Sequence, residues 1–119
     1  MSTTTAVSIH PYMKIHDGKM EEFHVIVQKF IDATRGEDGC MYYEFGYDGD
    51  EVHVRECYDN GDAALVHLGN VGALLQECAT IADFTRLEVF GSEAEIAKLR
   101  EPLAEFGAKF YTLESGIRR

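Results

Sequence analysis

The sequence predicts an α+β fold, in which one antiparallel sheet carries amphipathic helices on one of its faces. Three observations predict it. Short runs such as 7–13 and 52–58 alternate apolar and polar residues, the period of a half-buried strand. Longer runs such as 19–34 repeat apolar residues at i, i+3, i+4 and i+7, the period of a helix with one buried face. Finally, the elements follow one another as β-α-β-β-α-β and then α-β, the ferredoxin-like split-βαβ plan with an added helix and strand.

In chain order, Val7, Ile9 and Met13 alternate with Ser8, His10 and Tyr12 to give a first strand. Pro11 lacks a donor, which calls for an edge, a bulge or an early end beside it. Asp17 is a candidate N-cap for a helix over 19–34, with Met20, Phe23, Val27, Phe30, Ile31 and Thr34 as its apolar stripe. Gly36 and Gly39 end that helix. The aromatic run 40–47 and the run 52–58 flank Asp48-Gly49, a strong hairpin signal. A two-residue Asp48-Gly49 turn would set Phe45 opposite Val52, Tyr43 opposite Val54 and Met41 opposite Glu56. Met41, Tyr43, Phe45, Val52, Val54, Glu56 and Tyr58 would then share the helix-side face. Tyr42, Glu44, His53 and Arg55 would share the other. Asp59 or Asn60 caps a second helix over 61–81, striped by Ala64, His67, Leu68, Val71, Leu74, Leu75 and Cys78. Gly69 and Gly72 weaken its interior, so a bend or a close approach is expected there. Residues 84–90 form a fourth strand, and Ser92 with Glu95 forms the pattern of a capping box. Ile96, Leu99, Leu103 and Phe106 make a third stripe. Pro102 breaks it into a kinked helix or two short ones, and 108–113 closes as a short strand.

At 119 residues the chain has the length of one domain, 1–119, with a frayed tail at 1–5 and a C-terminal extension at 92–119. Its formal net charge of -10 makes nucleic acid and anionic membranes poor partners. No run is apolar for long enough to cross a bilayer, and the N-terminus does not read as a signal peptide. Cys40, Cys57 and Cys78 are odd in number and widely spaced, so they read as small buried residues in a reducing cytoplasm. No HxH, HExxH or CxxC pattern supports a metal, and no glycine-rich loop precedes a helix to hold a phosphate. Helices on one sheet face leave the other bare and partly apolar, and a second copy packed face to face would cover it.

The stretch Glu56-Cys57-Tyr58, followed by Ala63 and His67, resembles the signature of the antibiotic-biosynthesis-monooxygenase family: a strand ending in Glu-x-Trp or Glu-x-Tyr, then a helix carrying a histidine. The run Arg35-Gly36-Glu37-Asp38-Gly39-Cys40-Met41-Tyr42-Tyr43 resembles that family's helix end and tyrosine-bearing strand. The resemblance spans about Val7 to Phe90. It implies a homodimeric α/β barrel with a pocket in each protomer, between sheet and helices. The family's best-known members oxidise quinol-like or anthrone-like aromatics with O2 and no cofactor. An electron-rich phenolate can itself reduce oxygen once the protein deprotonates, desolvates and orients it.

His67 and Glu56 are the candidate catalytic residues. His67 lies on the stripe facing the expected pocket and can act as base or donor near neutral pH. Glu56 shares the helix-side face and needs a partner for its carboxyl, which His67 can supply. Each also has a structural reading: a satisfied histidine at the core boundary, and a structural salt bridge or hydrogen bond. Tyr58, Tyr43, Val54 and Arg86 are the candidate substrate-binding residues, with core packing the alternative for the two tyrosines. His10 and Tyr12 are weaker candidates, while His53, Arg55, Tyr42 and Glu44 belong to the dimer-facing side. The chain lacks tryptophan, and the strand before Glu56 has no asparagine, whereas the well-characterised quinol oxygenases pair the two. The haem-degrading relatives need a histidine late on the second helix, and 71–81 holds none. Three functions follow. The first is a cofactor-independent oxygenase acting on a small phenolic or quinol-like aromatic. The second is a non-catalytic dimeric ligand-binding or stress-related protein. The third is an isomerase or lyase with His67 as proton shuttle.

Overall fold

The computed structural model describes residues 4–118. Strand β1 (Val7–Ile15) leads into helix α1 (Met20–Thr34), then the hairpin of β2 (Cys40–Asp48) and β3 (Glu51–Tyr58). Helix α2 (Gly61–Cys78), strand β4 (Ala82–Gly91), helix α3 (Glu93–Arg100), a 3-10 turn (Ala104–Phe106) and strand β5 (Lys109–Thr112) complete the chain. The sheet order is β2-β3-β1-β4-β5. The four strands of the split-βαβ unit pair antiparallel, as expected, while β5 joins β4 in parallel and makes the sheet mixed.

Several local expectations are corrected. The hairpin turns at Gly49-Asp50, not Asp48-Gly49, so Asp48 pairs with Glu51, Phe45 with Val54 and Tyr43 with Glu56. Gly49 takes φ +62, which only glycine adopts without strain, and this sets the turn one residue later. The register slips by two residues, so every side chain keeps its face up to the bulge between Cys40 and Tyr42. That bulge turns Met41 away from the helix side, where its Sδ accepts from Cys57 Sγ at 3.7 Å. Asn60, one of the two expected caps, holds the start of α2 by accepting from Ala63 N, and α2 runs unbroken past Gly69 and Gly72. Lys19, not Asp17, stands at the N-cap of α1, without a side-chain bond. Ser92 stands at the N-cap of α3 but makes no side-chain cap, and Glu95, the other half of the expected capping box, instead accepts from Gly61 N at 2.9 Å and so ties α3 to the start of α2. Thr5, expected in a frayed tail, donates to Asp59 O at 2.7 Å, and the rest of that expectation, at residues 1–3, lies outside the described residues.

Pro11 sits in a central strand, with a bulge between Tyr12 and Met13 absorbing the irregularity. One core cluster packs Phe23, Ile26 and Phe30 of α1 and Val71 of α2 on Met13, Val52 and Val54 of the sheet. A second packs Ile96 and Leu99 of α3, with Leu103, on Val7, Tyr58 and Val89. The opposite face carries a ladder of rings: Tyr12 stacks on His53 at 4.1 Å, His10 on His53 at 5.6 Å, and Phe90 on Tyr111 at 4.8 Å. No helix among the described residues is long and apolar enough to cross a membrane.

Candidate functional site

Strand alternation points Glu56 and Tyr58 of β3 to the helix side, and helical periodicity turns His67 of α2 inward to meet them. Glu56 and His67 are buried, at 5% and 3% exposure. His67 Nε2 lies 3.5 Å from Glu56 Oε1, and Tyr58 donates its hydroxyl to that same oxygen at 2.6 Å. On its other side, His67 Nδ1 faces both oxygens of Glu37, at 3.0 and 3.1 Å. A nitrogen facing a carboxylate must be the donor, so Nδ1 carries the proton and Nε2 presents its lone pair towards Glu56.

Sequence alone does not single out Glu37. It stands in the turn between α1 and β2, where no periodicity identifies a functional side chain, although it falls inside the run that carries the family resemblance. Its neighbourhood explains how it reaches the site. Glu37 N donates to Thr34 O, and Cys40 N donates to Glu37 O, which fixes the turn. A Cβ on Gly39 would lie 2.6 Å from Ala63 Cβ, so only glycine lets this turn approach α2 so closely. Asn70 of α2 then donates to Glu37 Oε2 at 2.7 Å and to Ala33 O at 2.8 Å. A shallow cleft on the outer side is bordered by Glu37, Asn70 and Val66, so Glu37 lies between the buried histidine and solvent.

Burial sets the protonation states. Taking the Glu56 carboxyl out of water pushes it up to about 8, against the downward pull of the Tyr58 hydroxyl and with a small upward push from Glu37. Burial also holds His67 below its ordinary value, opposed by Glu37. At neutral pH the site therefore holds a protonated acid beside a neutral imidazole, a pairing suited to moving protons. Burial likewise raises the phenols of Tyr43 and Tyr58 well above their usual range, so both stay hydroxyls.

Glu56 and His67 open onto a cavity of about 610 Å³ with predominantly apolar walls. Tyr43 and Val54 line it. Tyr58 does not: it is fully buried behind Glu56, and its ring lies 5.0 Å from that of His67. Arg86 is not on this side of the sheet. It alternates with Leu87, which faces the cavity. Its guanidinium lies over Tyr12, 5.4 Å from the ring centroid, and pairs with Glu88 on the opposite face. His10 and Tyr12 belong to that face too, with His53. Among the described residues no group of three His, Cys, Asp or Glu side chains is placed to hold a metal.

The family model for antibiotic biosynthesis monooxygenase matches residues 6–77. Over the whole chain the fold is similar to that of MupZ from Pseudomonas fluorescens, with TM-score 0.95 and 34% identity, covering 100% of this chain and 93% of that one. Rv0793 from Mycobacterium tuberculosis matches with TM-score 0.63 and 21% identity, over 71% of this chain and 91% of that one. A conserved protein from Methanosarcina mazei Go1 matches with TM-score 0.67 and 14% identity, over 72% and 91%. These last two establish likeness of fold alone. No curated protein matches the sequence.

Proposed function

This chain belongs to the antibiotic biosynthesis monooxygenase family, and on that premise we propose that it is a cofactor-independent monooxygenase acting on a small phenolic or quinol-like molecule held over Glu56 and His67. The observation that carries this reading is the 3.5 Å approach of His67 Nε2 to the buried Glu56 carboxyl where both open onto an apolar cavity.

His67, oriented by Glu37, takes the proton of the substrate hydroxyl at Nε2. The resulting phenolate is electron-rich, and the apolar walls withhold the water that would stabilise it, so it reduces O2. For an activated methylene conjugated with that phenolate, the carbon loses both hydrogens and gains one oxygen atom as a carbonyl. The other oxygen atom leaves with those two hydrogens as water, so methylene and dioxygen are converted to ketone and water. Glu56 is placed to protonate the departing oxygen, while Tyr43 and Val54 pack the ring.

A second reading, an isomerase or lyase that only moves protons, is favoured by the same acid–base pair, since adjacent donor and acceptor serve a shuttle equally well. Oxygen uptake and 18O2 incorporation with a panel of quinols and anthrone-like phenols separate the readings. Uptake in the wild type that is lost in His67→Ala supports the oxygenase. Anaerobic exchange of substrate hydrogen for deuterium without uptake supports the shuttle. Ligand binding with neither signal would leave a binding protein and remove both reactions.

The ring-bearing sheet face of Tyr12, His53, His10, Phe90 and Tyr111 supports a homodimer that covers it, as the family resemblance implies. Light scattering should give twice the chain mass. The free thiols Cys40, Cys57 and Cys78 support a reducing compartment such as the cytoplasm.

A further inference from the structure

Two glycines in the middle of α2 have no structural reason to be there. Gly69 and Gly72 each weaken a helix interior, yet α2 runs unbroken through both. A Cβ built on either would meet no atom within 4 Å, so neither allows a close approach by another element. Both border the cavity that Glu56 and His67 open onto. Gly69 is exposed and Gly72 half-buried, so it is Gly72 that leaves room in that cavity.

The cavity is also long. Helix α2 borders it from Leu65 to Gln76, a span of about 16 Å at 1.5 Å per residue. Part of its wall comes from the C-terminal extension, where Leu103 is buried against Tyr58 and Ala64 and Phe106 is half-exposed, at 51%. This wall lies outside the family match, which stops at residue 77, whereas the likeness to MupZ covers the whole chain. An exposed phenylalanine at the rim of an apolar cavity is wasted on a ligand that fills only the floor.

We propose that the site takes an elongated molecule: a hydrogen-bonding head at Glu56 and His67, and an apolar body that runs along α2 past Gly69 and Gly72, with Phe106 among the residues that flank it. Glu105 in the cavity lining, together with the chain's negative charge, disfavours an anionic tail. Gly72 and Phe106 are then specificity-determining residues. This rests on the reading of Glu56 and His67 as the reacting end, but its test needs binding only.

The probes are 4-alkylphenols with tails from two to nine carbons, titrated by calorimetry against the intact protein. Wild-type affinity should rise roughly threefold to fourfold per methylene until the tail fills the cavity. Gly72→Leu should bind 4-ethylphenol like the wild type but lose at least tenfold for the longest tails. Because the substitution replaces a helical glycine, its melting temperature should hold or rise. Phe106→Ala should lower affinity for the long tails. Flat affinity along the series, no binding at any length, or an equal loss for all tails in Gly72→Leu would overturn the inference. Length-dependent binding without oxygen uptake or proton exchange would leave it standing and remove the proposed reaction. Turnover with length-independent binding would do the reverse.

Discussion

Glu56→Gln should stabilise the folded chain at pH 8 and leave it nearly unchanged at pH 5. Glutamine keeps the shape of the side chain, and its carbonyl oxygen can still accept from Tyr58, 2.6 Å away in the wild type. What it removes is a buried carboxyl whose proton affinity in the native state is raised from 4.5 to about 8. Between those values the unfolded chain has released a proton that the native chain keeps. Wild-type stability therefore falls as pH rises, by up to about 1.4 kcal/mol per unit. From pH 5 to pH 8 the variant should gain up to about 3 kcal/mol relative to the wild type. His67 contributes with the opposite sign. Its lowered value makes stability fall as pH drops below its ordinary 6.5, and because both proteins carry it, it largely cancels from the difference. Urea unfolding followed by circular dichroism across pH 5–8 gives the comparison. If Glu56 were an ionised partner of a charged His67, the variant would be the less stable protein at neutral pH and the gap would narrow towards pH 5. That outcome would refute the buried acid.

Glu37→Gln should lower the His67 titration further, since Glu37 opposes the effect of burial, and 15N shifts of the ring would report both the move and any change of tautomer. An unmoved titration would deny Glu37 its orienting role. Gly61→Ala should destabilise the fold by about 2 kcal/mol, because its Cβ would lie 2.6 Å from Glu95 O and 3.0 Å from Lys98 Cδ. A chemical melt within error of the wild type would show that α3 is free to move away from α2.

The parts of the site legible in the sequence are those fixed by periodicity. Strand alternation puts Glu56 and Tyr58 on the helix side, and helix periodicity puts His67 opposite them. A hairpin register misplaced by two residues does no harm, because a slip of two preserves the face, whereas the bulge at Met41 reverses a side chain that alternation alone would place. Arg86 escapes placement because the bulge between Tyr12 and Met13 offsets β4 against β1. Glu37 and Glu95 elude the sequence for a shared reason. Each finds its partner far along the chain, in His67 and Gly61, and local pattern does not show a partner 30 or 34 residues away. The extension illustrates the same limit: Pro102 announces a break, but not that Leu103 and Phe106 close the cavity over α2.

Glu56 and His67 acting together as acid and base would leave both titrations in the pH dependence of kcat/KM. Measured on whichever phenol the panel identifies as substrate, the wild-type profile should be bell-shaped, falling above about pH 8 as Glu56 ionises and falling on the acid side as His67 is protonated. Glu56→Gln should abolish the alkaline limb and lower the rate by about 10²–10⁴-fold. A Glu56→Gln profile that kept both limbs at the wild-type rate would contradict the account.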